Sequence, residues 1–258
     1  VTDDRYQRSV VWAGRAGGID VRDVGDALSL TVRGLGIDAL FGIVQRVRGM
    51  LDVDAPIDDI TTSFVKDPTL RPLLQSNPGV RVPGAWDGWE LAVRAVLGQQ
   101  VSVKAATTFA GRIAARYGEA CELDGMPGAR LFPTPERLAR ARLERLGIIR
   151  ARSQTIRDLA RASLNGRLSF DASQGVEEFC AALRSIRGIG DWTAQYVAMR
   201  VLKHPDAFPA SDLGLLRAFD GEGGRLKPAE LLARAERWRP WRAYAALLIW
   251  SSDDGAGG

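Results

Sequence analysis

One stretch restricts the fold of this chain more than any other. It reads Leu183-Arg-Ser-Ile-Arg-Gly-Ile-Gly-Asp-Trp-Thr-Ala-Gln-Tyr-Val-Ala-Met-Arg200 and is followed by His204-Pro-Asp-Ala-Phe-Pro-Ala-Ser-Asp-Leu213. Ile186, Ile189, Val197 and Val201 fall at helical spacing on either side of Gly188 and Gly190, which suit backbone angles or close approaches that a Cβ would obstruct. The pattern predicts two helices joined by a very tight turn. The second starts after Gly190, and its first amide N–H groups have no partner inside the helix. With the helix dipole behind them, those donors suit an anion such as a phosphate.

The string Gly188-Ile189-Gly190-x-x-Thr193-Ala194 between apolar helical segments resembles the helix-hairpin-helix DNA glycosylase superfamily, and within it the DNA-3-methyladenine glycosylase II family. The resemblance implies a hairpin (Gly188, Ile189, Gly190, Thr193) that holds duplex DNA through backbone amides. It also implies a downstream aspartate that assists glycosidic bond cleavage, here Asp212 in Phe208-Pro209-Ala210-Ser211-Asp212-Leu213. From the residues alone, Asp212 or Ser211 reads as the N-cap of a helix beginning near Leu213. The two roles are compatible, because a helix N-terminus keeps a carboxylate ionised. The resemblance further implies that carbonyls of Arg184, Ile186 and Gly188 bind a monovalent cation bridging to a DNA phosphate.

Charge and cysteine usage narrow the chemistry. Net charge is only +4, but residues 1–80 carry 9 basic and 11 acidic groups, so the basic excess lies wholly beyond them. It peaks over residues 126–167, with 10 arginines against Glu136, Glu144 and Asp158. This run reads either as a solvated helical surface or as a phosphate-contacting face. Two cysteines, Cys121 and Cys180, cannot build a four-cysteine cluster, and the single histidine, His204, cannot support multi-histidine metal chemistry. His204 is expected in a loop near the site without a defined role. No signal peptide or long apolar span is present in the sequence, which predicts an intracellular protein with reduced thiols.

In chain order, residues 1–60 read as an α+β unit, with strands over residues 5–13, 18–24 and 27–33 punctuated by Gly14, Gly17-Gly18 and Gly25-Asp26. A helix over residues 37–51 follows, its apolar face formed by Leu40, Phe41, Val44, Val47 and Leu51. Relative to the family, this unit is expected to lack its first strand and helix. Residues 52–83 form a polar connection with a short helix near residues 58–65. Beyond Trp86 the pattern is almost wholly helical, so the fold class is α+β: a small antiparallel N-terminal sheet before a mostly α-helical core. The helical part divides into residues 61–87 with 205–258, carrying Asp212, and residues 88–204, carrying the hairpin.

Gly98-Gln99-Gln100-Val101-Ser102 breaks one helix and starts the next, with Ser102 as cap. By position in the family, Gln100 is the wedge that fills the gap left by an extruded base, and Gln99 lies beside the base pocket. A plain helix-breaking loop is the alternative. Thr134-Pro135-Glu136 opens a helix that Gly147 closes. A further helix over residues 151–165 turns Ile156, Leu159 and Leu164 inward and Arg152, Arg157 and Arg161 outward.

Trp192 and Tyr196, four apart, share a helix face. The resemblance places both, with Trp250, in the base pocket and leaves Trp238 and Trp241 structural; without it, all would read as core. An aromatic slot suits the positive ring of an N-alkylated purine such as 3-methyladenine. Bifunctional relatives place a lysine in the hairpin's second helix to form a Schiff base; Trp192 stands there instead. The expectation is therefore a monofunctional DNA glycosylase that flips alkylated purines from double-stranded DNA and leaves an abasic site, as part of base excision repair. It is expected to be a monomer, cytoplasmic and nucleoid-associated, with no membrane and no required cofactor. The alternative is a non-catalytic helix-hairpin-helix DNA-binding module of a larger alkylation-response protein.

Overall fold

Three strands of alternating apolar residues begin the chain: β1 (Arg5–Trp12), β2 (Arg15–Asp23) and β3 (Leu28–Arg33). The computed structural model describes residues 4–171, 173–219 and 226–253. The strands form the expected antiparallel meander, ordered β1-β2-β3, with Val10 opposite Gly17 and Val21 opposite Leu30. Gly17 and Gly18 lie inside β2 rather than between strands. A Cβ on Gly17 would collide with the Leu35 side chain and one on Gly18 with the Met126 sulfur, so their bareness admits neighbouring elements.

A 3₁₀ turn (Ile37–Ala39) leads into α1 (Leu40–Met50). The helix is where the sequence predicts it, but its buried face differs. Ala39, Ile43, Val47 and Met50 meet the sheet, whereas Phe41 is 76% exposed and Leu40 is also outside. The bare Gly42 explains the phase: the Trp12 ring packs where its Cβ would be, which turns the Ile43 side of the helix inward. Trp86 closes this smaller core.

The remaining helices share one larger core. They are α2 (Ile57–Phe64), α3 (Leu70–Ser76), α4 (Gly88–Gly98), α5 (Val103–Tyr117), α6 (Pro135–Leu138), α7 (Arg150–Leu164), α8 (Val176–Arg184), α9 (Asp191–Val201), α10 (Leu213–Arg217), α11 (Pro228–Ala235) and α12 (Arg242–Asp253). α3 is an addition to the polar connection read from the sequence. It is anchored by buried Leu70 and Leu74, and Asp67 accepts from the amides of Thr69 and Leu70 at 2.8 and 3.0 Å. The Trp238 indole N–H donates to the same carboxylate at 2.9 Å, which makes this tryptophan structural.

Two further expectations fail locally. The helix predicted from Pro135 to Gly147 stops at Leu138 and resumes as a 3₁₀ turn (Leu143–Leu146). Long-range partners take the backbone groups at the break: Arg157 Nη1 donates to the Ala141 carbonyl at 3.2 Å, and the Arg142 amide donates to the Tyr117 hydroxyl at 3.1 Å. In α7, Ile156 and Leu159 are buried as expected, but Leu164 is exposed at the final turn, where the core no longer covers it. Arg152 is not a freely solvated arginine either: its guanidinium donates to the Gln99 carbonyl. Among the described residues no helix is long and apolar enough to cross a membrane.

Candidate active site

Asp212 stands at the mouth of α10 and does two things at once. As N-cap, its Oδ1 accepts from the Leu215 amide at 2.9 Å, satisfying one of the helix's orphan donors. Beyond the cap, Trp250 on α12 donates its indole N–H to Oδ1 at 2.9 Å, and Trp192 on α9 donates its own to Oδ2 at 2.6 Å. Both oxygens are thus held by donors suited to a charged carboxylate. Trp192 also stacks on Tyr196, with ring centroids 5.3 Å apart and planes 8° apart.

Two cavities meet at this carboxylate, and Trp192 and Asp212 line both. The first, of about 540 Å³, is walled by Trp192, Tyr196, Trp250, Arg94 and Arg200. The second, of about 640 Å³, is walled by Gln99, Gln100, Arg152, Thr155, Gly188 and Gly190. Of the four side chains expected at a base, Trp192, Tyr196 and Trp250 gather in the first cavity, while Gln99 joins the expected wedge Gln100 and the hairpin residues Gly188, Gly190 and Thr193 in the second.

The hairpin between α8 and α9 explains its glycines separately. Gly188 has φ +92°, and a Cβ there would run into Thr155, whose hydroxyl donates to the Arg187 carbonyl at 3.0 Å. Gly190 caps α9 with φ −93° and extended geometry, makes no side-chain cap, and has nothing of the protein near its missing Cβ. The space beside Gly190, at the start of α9, is therefore open and borders the second cavity. Arg184 and Asp191 tie the two helices by an ion pair at 2.9 Å.

Gln99 lies at the end of α4 but turns its amide to the hairpin, donating to the Gly188 carbonyl at 3.0 Å and to Thr193 Oγ1 at 2.9 Å. It lines the hairpin-side cavity, not the aromatic one. Gln100 is exposed beside it with φ +55°, an uncommon conformation for a residue with a side chain. Ser102 caps α5 as expected, accepting from the Ala105 amide at 3.2 Å.

Arg152, Thr155 and Arg200 line these cavities without any local signal: each is one polar residue among many on a helix. His204 lies elsewhere, in a cleft with Arg239 and Arg242, and its Nδ1 accepts from the Asp206 amide at 3.3 Å. Cys180 is buried, which pushes its thiol up to about 11. Among the described residues no group of histidine, cysteine and carboxylate side chains is placed to hold a metal ion.

A small sheet before a helical body, a glycine hairpin facing open space and an aspartate in an aromatic cleft define the helix-hairpin-helix base-excision architecture. Two family models match the chain: "AlkA N-terminal domain" over residues 1–87 and "HhH-GPD superfamily base excision DNA repair protein" over residues 93–243. The chain belongs to the HhH-GPD superfamily of base excision DNA repair proteins.

Its relatives include a probable bifunctional transcriptional activator/DNA repair enzyme of Mycobacterium tuberculosis, 41% identical over 213 residues, which are 83% of this chain and 43% of that protein. DNA-3-methyladenine glycosylase 2 of Escherichia coli is 41% identical over 181 residues, 69% of this chain and 62% of that protein. The DNA-3-methyladenine glycosylase of Bacillus subtilis is 31% identical over 216 residues, 81% of this chain and 71% of that protein. The chain thus spans less than two thirds of the length of the first two. Among solved structures, the 3-methyladenine DNA-glycosylase of Archaeoglobus fulgidus superposes with a TM-score of 0.86 at 23% identity, over 100% of this chain and 89% of that one, a likeness of fold.

Proposed function

We propose that the chain is a monofunctional DNA glycosylase that hydrolyses the N-glycosidic bond of alkylated purines, such as 3-methyladenine, in double-stranded DNA. The observation that carries this reading is the Asp212 carboxylate held by two indole N–H groups at the junction of an aromatic cavity and the hairpin cavity. A mere DNA-binding module has no use for that constellation. The relatives named as 3-methyladenine glycosylases favour the same class.

The chemistry follows from the layout. A base inside a duplex must be extruded before it can be reached. The open amides of α9 grip a phosphate, Gln100 fills the vacated stack, and the base enters the cavity lined by Trp192, Tyr196 and Trp250. An alkylated purine is cationic and leaves readily, so the site's task is to stabilise the cationic sugar. Asp212 lies where it can do so electrostatically and can orient the attacking water. The Gln99 contact ties the wedge loop to the hairpin, so grip and extrusion act together.

A Schiff-base route needs an amine at the sugar. Among the described residues no lysine lines either cavity, and Trp192 fills the position that lysine takes in bifunctional relatives. Hydrolysis leaving an abasic site is the consistent outcome. No cofactor is needed for these steps. The carbonyls of Ile186 and Gly188 each accept one internal hydrogen bond, from Ile189 N at 3.0 Å and from Gln99 Nε2 at 3.0 Å. Each keeps a second lone pair, so with Arg184 they suit a monovalent cation that would add positive charge against a DNA phosphate. The protein acts as a monomer on alkylated DNA, in the cytoplasm at the nucleoid.

The test is release of bases from methylated duplex DNA by wild type and Asp212→Asn. Asparagine preserves the helix cap, so the variant is expected to fold while its single-turnover rate falls by roughly 100-fold or more. Equal release by both proteins, or none by the wild type, would sink the assignment. Trapping of a covalent enzyme–DNA complex by borohydride would refute the monofunctional claim on its own.

A further inference from the structure

The segment that delivers Asp212 is pinned at both ends to one helix. Six residues upstream of Asp212, Asp206 is 9% exposed and meets Arg242, 8% exposed, at the first turn of α12. Arg242 Nε and Nη2 donate to the two carboxylate oxygens at 2.8 and 2.9 Å, and Arg239 donates to the second of them. The remaining nitrogen, Arg242 Nη1, donates to Glu236 at 3.1 Å. Beside the pair, the Ala243 amide, a first-turn donor without a partner inside its helix, donates to the Pro205 carbonyl at 2.9 Å. Eight residues further along α12, Trp250 donates to Asp212 itself. Helix α9 repeats the arrangement: Trp192 donates to Asp212, and three residues on, Gln195 Oε1 accepts from the Phe208 amide at 3.2 Å.

The length of the segment does not fix its end. At 1.5 Å per residue the two anchors on α12 are about 12 Å apart along its axis. Six residues can reach about 20 Å. Asp212 therefore has slack, and its place depends on what pins the chain behind it. A buried ion pair adds little stability over apolar residues of similar volume, because desolvation offsets the attraction. What it supplies is direction, since a planar guanidinium fork receives a carboxylate in one orientation.

We propose that Asp206 and Arg242 are positioning residues for catalysis: their pair fixes the register of residues 206–212 against α12 and so holds the Asp212 carboxylate where the sugar must be met. The inference rests on the glycosylase reading and brings into it two residues that line neither cavity at Asp212. Loss of the pair leaves the grip on DNA intact, because the hairpin amides and Gln100 stand on other elements. It displaces the carboxylate, and a misplacement of about 1 Å can cost on the order of a hundredfold in rate.

The test follows single-turnover base release from methylated duplex DNA by wild type, Asp206→Asn, Arg242→Gln, Arg242→Lys and the Asp206→Asn/Arg242→Gln double variant, across protein concentrations and below each unfolding midpoint. Asp206→Asn and Arg242→Gln are each expected to lower the maximal rate by roughly tenfold, with the half-saturating concentration within about twofold of wild type. The double variant should be no slower than the slower single, because both changes remove one pair. Arg242→Lys keeps the charge but not the fork, so it should fall between wild type and Arg242→Gln. A merely structural pair would lower the unfolding midpoint and leave the maximal rate within about twofold of wild type, which would overturn the proposal; so would a weakening of DNA binding in step with the rate. Should the Asn and Gln variants fail to fold, a wild-type rate in Arg242→Lys would overturn it too. Each of these results leaves the glycosylase reading standing, whereas no release by the wild type overturns both.

Discussion

Two glycines a single residue apart do different work, and they can be separated experimentally. Gly188 is held at φ +92° with Thr155 where a Cβ would go, so its bareness serves the protein's own packing. Gly190 has an ordinary φ and empty space around it, so its bareness serves whatever approaches from outside. Gly188→Ala is expected to lower stability by about 1–3 kcal/mol in denaturant unfolding. Gly190→Ala should unfold within about 0.5 kcal/mol of wild type but bind duplex DNA roughly tenfold more weakly, because the methyl would enter the open space beside the amides proposed to grip a phosphate. Comparable stability loss in both variants would contradict this division. Asp212 shows the same economy of position: its capping role was readable from Ser211-Asp212-Leu213, while its two indole donors were not, since they come from α9 and α12.

At the level of elements, the sheet carries a charge that its alternation does not reveal. Asp20 is 1% exposed in the middle of β2 and is held by Arg5 through two hydrogen bonds at 2.9 and 2.7 Å, with Arg22 at 3.4 Å. The Arg5 hydrogen bonds outweigh burial and hold its carboxyl well below the usual carboxylate range. A depressed folded value means that this stabilisation is present above the ordinary carboxylate pKa of about 3.9 and is lost as pH falls below it. Asp20→Asn should therefore lower the melting temperature by several degrees at neutral pH. The gap to wild type should close on acidification below about pH 4 in thermal melts followed by circular dichroism. A gap independent of pH would show that the ion pairs are not its source. The strands themselves were legible because their period is local. The face of α1 was not, because the approach of Trp12 to Gly42 decides it.

Across the whole molecule, the site exists because separate helices converge on one carboxylate and one hairpin. Trp238 is a joint of that assembly: fully buried, bonded to Asp67 before α3, and in ring contact with Phe208 just before Asp212. Trp238→Ala is expected to cost about 3–5 kcal/mol and to lower the unfolding midpoint of the whole helical body. A variant that keeps the wild-type midpoint but loses only base release would mean that this tryptophan serves the site instead.

By itself the sequence determined the α+β order, the capped helices, the tight hairpin and the carboxylate at a helix mouth, because each depends on backbone preferences and spacings within a few residues. Tertiary structure alone decided that Gln99 faces the hairpin, that Arg152 holds the loop at Gln99 and that Arg200 lines the aromatic cavity. A side chain's direction within a helix is set locally, but what it meets there depends on elements far away in the chain.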